Sequence, residues 1–167
     1  YMLRGKEITD IRTERKTIGH SHVLEPKWRP TESAEKVMSR LLLKAASRLR
    51  RMEYYSSKLT LSIRTEKGLR LEGKSIFYRA CDNKKKLEES KKIWKKLIKK
   101  KEIKKIKKIS VTLYNLTKKT ELQPELFQHF DEKIILNTDR FEKLSQTMDN
   151  INTRFGRDSV TLGELPN

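Results

Sequence analysis

The chain has 167 residues, of which 35% are hydrophobic and 37% are charged, and its formal net charge is +18. This length can bury one proper core, which must be small relative to the charged surface. So strong a positive charge is typical of a protein that binds a polyanion, either a nucleic acid or an anionic membrane surface. Because no apolar run approaches the length of a bilayer span and no signal-peptide pattern opens the chain, we expect no membrane insertion.

Cysteine usage and the first residue bear on the origin of the chain. Cys81 is the only cysteine, so the sequence has neither a disulfide framework nor a CxxC metal site. This fits a reducing compartment, and we expect a cytoplasmic protein. The chain opens at Tyr1 without a start methionine, which we interpret as a fragment of something longer.

Charge is distributed unevenly and divides the chain in two. Residues 84–108 carry 14 lysines against three acidic residues, whereas residues 120–167 carry five basic and nine acidic residues. The first 119 residues therefore have the composition of a polyanion-binding unit, and the last 48 do not. The lysines of 84–108 are either a second nucleic-acid contact or a solvated helix face, and we favour the solvated face for most of them.

The first two predicted elements are a strand and a long helix. β-Branched residues predict a strand within 12–24, and Gly19 inside it indicates a bulge or a close backbone approach. Thr31 predicts a helix N-cap, and apolar residues at helical spacing predict a helix over about 31–53. The opposite face of this helix is basic and carries Lys36, Arg40, Lys44, Arg48 and Arg51.

A hairpin, a second helix and a last strand follow. Apolar and polar residues alternate over 58–64 and again over 69–77, which predicts two strands joined by a tight turn. Asp82 or Asn83 is expected to cap a lysine-rich helix. The same alternation over 108–114 predicts the last strand.

This order of elements is a split βαβ arrangement. It predicts an α+β fold, in which a four-stranded sheet carries two helices on one face and a C-terminal loop and helical tail follow. The other face of the sheet is then open to water or a ligand, and phosphate-binding residue types are expected on it. The residues predicted for this open face are Lys58, Thr60, Ser62, Arg64, Arg70, Lys74, Lys108, Ser110 and Thr112.

The pattern breaks beyond the last strand. Residues 119–138 are predicted to form a loop, and Asp139 with Glu142 three residues later resembles a capping box. A short extended run is expected at 159–162. The helix between them is predicted from the spacing of Phe141, Leu144, Met148 and Ile151.

The motif RKTIGHSHVL at residues 15–24 resembles the opening strand of the little-finger domain of bacterial Y-family translesion DNA polymerases, especially the DNA polymerase IV group. MLRGKEI before it resembles the joint with the thumb, and RLLLKAASRLRRM and KLTLSIR extend the resemblance to about residue 118. The tail INTRFGRDSVTLG resembles the end of bacterial members of the ImpB/MucB/SamB type. The domains implied are a linker from the thumb at 1–11, a little-finger DNA-binding domain at 12–118, a loop with a clamp-binding motif at 119–138, and a C-terminal helix and short strand at 139–167.

The resemblance implies that the domain binds primer–template DNA through backbone phosphates, with the rest of the polymerase on its N-terminal side. His20 departs from the family, whose members often carry a basic residue there, since a histidine is mostly uncharged at neutral pH. The residues expected to contact DNA are Arg15, Lys16, Thr17, Gly19, His20, Lys58, Thr60, Ser62, Arg64, Lys74, Lys108 and Ser110.

No catalytic residue is predicted. The catalytic carboxylates of the family lie in the palm, upstream of this region, and no residue here matches them. Polymerisation uses two metal ions held by acidic side chains, so the parent polymerase would need Mg²⁺, whereas this fragment is expected to hold no cofactor and no metal. His20 and His22 lie two apart on a strand, but no third ligand is near them in the sequence.

Residues 123–127 read QPELF and fit the Q-x-x-L-F pattern by which bacterial polymerases resemble one another in binding the sliding clamp. Such a peptide inserts two apolar anchors into a pocket, while a polar residue fixes its register. In this chain the anchors would be Leu126 and Phe127, and Gln123 would be the polar contact.

Two alternatives stay open at this point. An RNA-binding module of RRM-like architecture also has four strands and two helices, but it stacks bases on aromatic residues of an RNP1-type strand, and no such string is present. Tyr114 is the only aromatic residue that we place on the open face. The other alternative is a stand-alone interaction remnant of a split polymerase gene.

Overall fold

The computed structural model describes residues 16–80, 82–101, 103–121, 132–156 and 159–161. Four strands and three α-helices lie within these ranges. They are β1 (Thr17–Val23), α1 (Thr31–Arg51), β2 (Tyr54–Thr65), β3 (Arg70–Ala80), α2 (Asn83–Lys101), β4 (Ile106–Lys118) and α3 (Glu132–Phe155). No described helix is both long enough and apolar enough to cross a membrane.

The sheet has the strand order β1-β4-β2-β3, and every neighbouring pair is antiparallel. Because β4 lies between β1 and β2, α1 connects two parallel strands that are not neighbours, and α2 does the same between β3 and β4. The predicted α+β fold and split βαβ arrangement are confirmed. β1 and β3 are the edge strands of the sheet.

The core lies between one face of the sheet and the helices α1 and α2. Successive residues of a strand point to opposite faces, so β2 and β4 each contribute every second residue to this core. The buried side chains from the central strands are Leu59, Leu61, Ile63, Ile109, Val111 and Leu113. The helices contribute Ala34, Met38, Leu42, Ala45, Leu49, Ile93, Trp94 and Leu97.

The N-termini of α1 and α2 are capped differently. Asp82 caps α2, because its Oδ1 accepts a hydrogen bond from the Lys85 amide at 2.8 Å, which confirms the expected cap. The N-cap predicted at Thr31 is wrong, since Thr31 is the first helical residue and Pro30 occupies the cap position without a side-chain bond. The Pro30 carbonyl already accepts the Ala34 amide at 2.8 Å, which moves the start of the helix back by one residue.

The tail helix packs against the rest of the domain. The Asn83 amide donates to Ser145 Oγ at 3.1 Å, and the Tyr55 hydroxyl donates to Glu142 Oε2 at 3.2 Å. Met148 of α3 is buried, whereas Leu144, which the helical spacing placed with it, is 48% exposed. α3 is therefore held at the end of the domain where α1 finishes and α2 begins.

The predicted capping box at Asp139 is wrong, because α3 already begins at Glu132 and Asp139 lies inside it. The interval of three residues from Asp139 to Glu142 occurs within helices as well as at their ends, so it does not mark an end by itself. Part of the predicted loop at 119–138 is therefore helical. Residues 159 and 160 form a bend where an extended run was expected. Asn152 of α3 accepts a hydrogen bond from the Val160 backbone N–H and donates one to the Val160 carbonyl.

Candidate nucleic-acid interface

The face of the sheet that carries no helix holds four rows of four residues, which we call the open face. The register of the four strands defines the rows. Read from β1 through β4 and β2 to β3, they are Thr17-Tyr114-Lys58-Ile76, Gly19-Thr112-Thr60-Lys74, Ser21-Ser110-Ser62-Glu72 and Val23-Lys108-Arg64-Arg70.

The chemistry of the open face changes along the strands. The two middle rows contain five hydroxyl side chains, which are Ser21, Ser62, Ser110, Thr60 and Thr112. A basic residue stands on each side of them along β2, with Lys58 in the first row and Arg64 in the last. Hydroxyl and cationic side chains are the types that donate hydrogen bonds to phosphate oxygens. The open face therefore presents donors in its middle and positive charge toward its ends.

One acidic residue modulates this charge. Glu72 of β3 accepts ion pairs from Lys74 at 3.3 Å and from Arg70 at 3.9 Å. Arg70 Nε also donates to Ser62 Oγ at 3.3 Å. These groups are solvent-exposed, so the pairs are weak and a stronger anion can compete for the same cations. The four rows contain five cationic side chains and one carboxylate, so their formal net charge is +4.

Gly19 is required by a close approach between β1 and β4. A Cβ atom at this position would lie 2.8 Å from the Val111 carbonyl oxygen and 3.0 Å from Thr112 Oγ1. The predicted close backbone approach is confirmed. The missing side chain keeps the Thr112 hydroxyl uncovered on the open face.

His20 and His22 share a face of β1, as their spacing predicts, but it is the face toward the helices. His20 pairs with Val111 and His22 with Ile109, and both of these partners point into the core. Burial and the positive charges of Lys44 and Arg48 on α1 lower the pKa of His20 below its usual 6.5. His20 is therefore neutral at pH 7 and separate from the open face.

The other residues predicted to contact DNA are placed as follows. Thr17 and Gly19 lie on the open face together with Lys58, Thr60, Ser62, Arg64, Lys74, Lys108 and Ser110. Lys16 is exposed immediately before β1. Arg15 and the clamp motif residues Gln123, Leu126 and Phe127 lie outside the described residues.

The lysine-rich helix lies on the other side of the sheet. Ile93, Trp94 and Leu97 of α2 are buried toward β3, and a Cβ at Gly73 would meet Ile93 Cγ2 at 2.4 Å. Among the α2 lysines whose side chains the structure describes, most are exposed on the surface away from the sheet, and Lys86 is a buried exception. Most of these lysines are thus on a solvated helix face and do not extend the open face.

Four residues of the open face were not predicted from the sequence. Val23 and Ile76 are its exposed apolar members, and Ile76 is 75% exposed. Ser21 and Glu72 are the other two. Every second residue of β1 and of β3 points to the same face of the sheet. This alternation would place all four residues on the open face, once the pairing partners of the two strands are known. Tyr114, the one aromatic side chain in the four rows, is where we expected it.

No metal site is formed by the part of the chain that the structure describes. Within it no three His, Cys, Asp or Glu side chains come together. His20 and His22 accordingly have no third ligand among the described residues.

The chain thus folds as an α+β domain with one uncovered sheet face, on which cationic and hydroxyl side chains of the types that contact nucleic-acid backbones are collected. Residues 15–126 match the family described as the impB/mucB/samB family C-terminal domain. Because this match covers most of the chain, the chain belongs to that family, the C-terminal, little-finger domain of Y-family DNA polymerases.

Solved structures share this fold. A Y-family DNA polymerase chimera, Dbh-Dpo4(243-245)-Dbh, matches with a TM-score of 0.54 at 13% identity, over 69% of this chain and 33% of that chain. The post-insertion binary complex of Dbh DNA polymerase matches with a TM-score of 0.52 at 13% identity, over 69% of this chain and 33% of that one. The chain thus spans about a third of the length of these polymerases. A comparison with curated proteins gives no match.

Proposed function

We propose that this domain is the DNA-binding, non-catalytic part of an error-prone translesion DNA polymerase, and that its open face binds the backbone phosphates of primer–template DNA. The observation that carries this proposal is the arrangement of the open face. Hydroxyls occupy the two middle rows of the sheet, and basic residues flank them along β2.

Each kind of side chain has its own part in binding. Lys58, Arg64 and Lys108 supply the charge that displaces counterions from the phosphates. Thr60, Ser62 and Ser110 supply short hydrogen bonds that fix the position of the backbone. The cations stand at the ends of the hydroxyl-bearing segments of the central strands, so one stretch of backbone meets both groups.

This binding does not depend on reading the bases. The open face contains no amide side chain, and its cations stand beside hydroxyls that suit phosphate oxygens. A domain that holds DNA by its backbone tolerates a damaged or mispaired base near the primer end. This property suits damage bypass and DNA repair, and the open face has only Tyr114 for the base stacking that the RNA-binding alternative requires.

The parent protein would supply the catalysis. A palm with carboxylate-bound Mg²⁺ on the N-terminal side would carry out polymerisation. The QPELF peptide at 123–127 would bind the bacterial sliding clamp and raise the local concentration of the polymerase at the primer end.

Binding of fluorescent primer–template DNA across a salt series tests the open face. Arg64→Gln/Lys108→Gln removes two neighbouring cations of the last row, and Lys95→Gln/Lys96→Gln removes two exposed cations of α2 as a matched control. We expect only the open-face pair to lower the slope of log affinity against log salt, by about 1 for each lost phosphate contact. Equal slopes for both variants would mean that DNA does not bind the open face.

A second comparison tests whether bases are read. Binding to duplexes of different sequence, and to one with an abasic site, should give affinities within about threefold of one another if the backbone alone is recognised. Strong discrimination among these duplexes would contradict backbone binding.

A further inference from the structure

A second cationic surface lies on the helix side of β1, where no sheet hydroxyl contributes. β1 is an edge strand, and α1 packs against it on the face opposite the open face. His20 points to this side, and Lys44 and Arg48 of α1 are close enough for their charges to lower its pKa. Three basic side chains from two elements therefore converge beside the edge of the sheet.

His20 has an unmet hydrogen-bonding group at this place. Its Nε2 atom is buried and has no hydrogen-bond partner among the described residues. An imidazole nitrogen without a partner loses its hydration on burial and gains no hydrogen bond in exchange, which is unfavourable. An acceptor oxygen of a ligand would satisfy it once the side chains that cover the atom move aside, since a neutral imidazole can carry its proton on Nε2.

Lys44 and Arg48 determine the charge of that ligand. They are four residues apart in α1, so they lie on one side of the helix about 6 Å apart along its axis. Lys44 is exposed, Arg48 is half-buried, and neither forms an ion pair with an acidic side chain in the described part of the chain. Two such cations beside a buried hydrogen-bond donor suit an anion such as a backbone phosphate.

We infer that His20, Lys44 and Arg48 form a second phosphate-binding site, which binds the sugar–phosphate backbone of DNA from the helix side of β1. This inference rests on the proposed function and extends it to the other face of the edge strand. Thr17 and Ser21 reach the open face from β1, while His20 between them reaches the helix side. One backbone strand that runs along this edge can thus be held from both sides.

The nearby charges of Lys44 and Arg48 explain why position 20 carries a histidine. A lysine or arginine at position 20 would add a third full charge beside Lys44 and Arg48 and would repel them when no DNA is bound. A neutral imidazole avoids this repulsion and still donates a hydrogen bond. When a phosphate binds, its negative charge favours the protonated imidazole, so the pKa of His20 should rise on binding.

NMR titration of the histidine side chains tests the inference directly. The groups whose charges face His20 are Lys44 and Arg48 of α1 and His22 of the same strand, while its β4 partner Val111 is apolar. We expect primer–template DNA to raise the pKa of His20, and inorganic phosphate to do so more weakly.

Variants separate the two surfaces. Lys44→Gln/Arg48→Gln should weaken DNA binding about tenfold at 0.1 M salt and abolish the shift of His20, whereas Lys95→Gln/Lys96→Gln should do neither. If DNA leaves the pKa of His20 unchanged, or if the α1 pair binds DNA like the α2 pair, the second site is overturned. If the second site is overturned but Arg64→Gln/Lys108→Gln still loses affinity, the open face remains the binding surface. If all three variants bind DNA with equal affinity, both the second site and the open face are overturned as DNA-binding surfaces.

Discussion

Arg50 of α1 and Asp149 of α3 form a two-bond ion pair, with Nε 2.6 Å from Oδ2 and Nη2 3.0 Å from Oδ1. The Arg50 side chain is only 4% exposed, and its Nη1 also donates to Asn83 Oδ1 at 2.8 Å. One guanidinium thus joins the end of α1 to the start of α2 and to the tail helix. The tail helix is therefore part of the folded domain.

Removing one partner of this pair should destabilise the domain. Asp149→Ala removes two hydrogen bonds and one negative charge from the buried Arg50 guanidinium, so we expect the free energy of unfolding to fall by about 2 kcal/mol, less than for a fully buried pair because Asp149 is partly exposed. Urea unfolding measures this. Lys143→Ala on the exposed side of α3 is the control, and equal stability of the two variants would show that α3 is not anchored through Arg50.

The close approach at Gly19 should make any side chain costly there. Gly19→Ala places a methyl group 2.8 Å from a backbone oxygen of β4, which must move. We expect a loss of about 1 to 3 kcal/mol in thermal or urea unfolding. Ser21→Ala, one residue pair along the same strand, should change stability by less than about 0.5 kcal/mol. If Gly19→Ala is as stable as Ser21→Ala, β1 and β4 can move apart at this position without a loss of stability.

Hydroxyl and cationic contacts on the open face should have different salt signatures. Thr60→Val/Thr112→Val keeps the shape and β-branching of both side chains while removing their hydroxyls. We expect DNA affinity to fall severalfold with an unchanged salt slope, since no charge is lost. Thr117→Val, outside the four rows, is the matched control. A change of slope in the double variant would indicate that these residues act through neighbouring cations.

Glu89 should contribute to the acid stability of the domain. Burial tends to raise the pKa of its carboxyl, but hydrogen bonds from Lys92 and Ser75 and the charge of Lys85 outweigh it, so the net pKa is below the usual 4.5. A lowered pKa in the folded state adds stability above pH 4.5 that is lost as the pH falls through the folded value. Glu89→Gln should therefore flatten the decline of stability below that pH.

Glu88→Gln, which removes the adjacent exposed carboxyl, is the matched control variant for the acid profile. If the free energy of unfolding falls with pH in the same way for Glu89→Gln and for the unaltered chain, Glu89 does not contribute to the acid stability.

The clamp peptide can be tested apart from DNA binding. Leu126→Ala/Phe127→Ala should abolish pull-down with a bacterial sliding clamp, because both apolar anchors are lost, and should leave DNA affinity unchanged. Gln128→Ala next to the motif is the control. Retained clamp binding in the double variant would exclude QPELF as the contact.

The sequence by itself determined the order of the four strands and the first two helices, and the chemical character of the open face. Alternation along β2 and β4 divides their residues between two faces by a period of two, and this period needs no knowledge of the rest of the fold. The motif at residues 15–24 likewise indicated the family without knowledge of the rest of the fold, because it lies within a few consecutive residues.

Only the tertiary structure decided which face each edge strand presents and what the tail does. His20 and Thr17 both lie on β1, but the pairing with β4 sends Thr17 to the open face and His20 toward Lys44. Arg50 lies in the basic segment that ends α1, and its side chain is buried where α2 and α3 meet that end of the helix. Strand register and helix docking depend on residues far apart in the chain, as Arg50 and Asp149 are, and local patterns carry no information about such pairs.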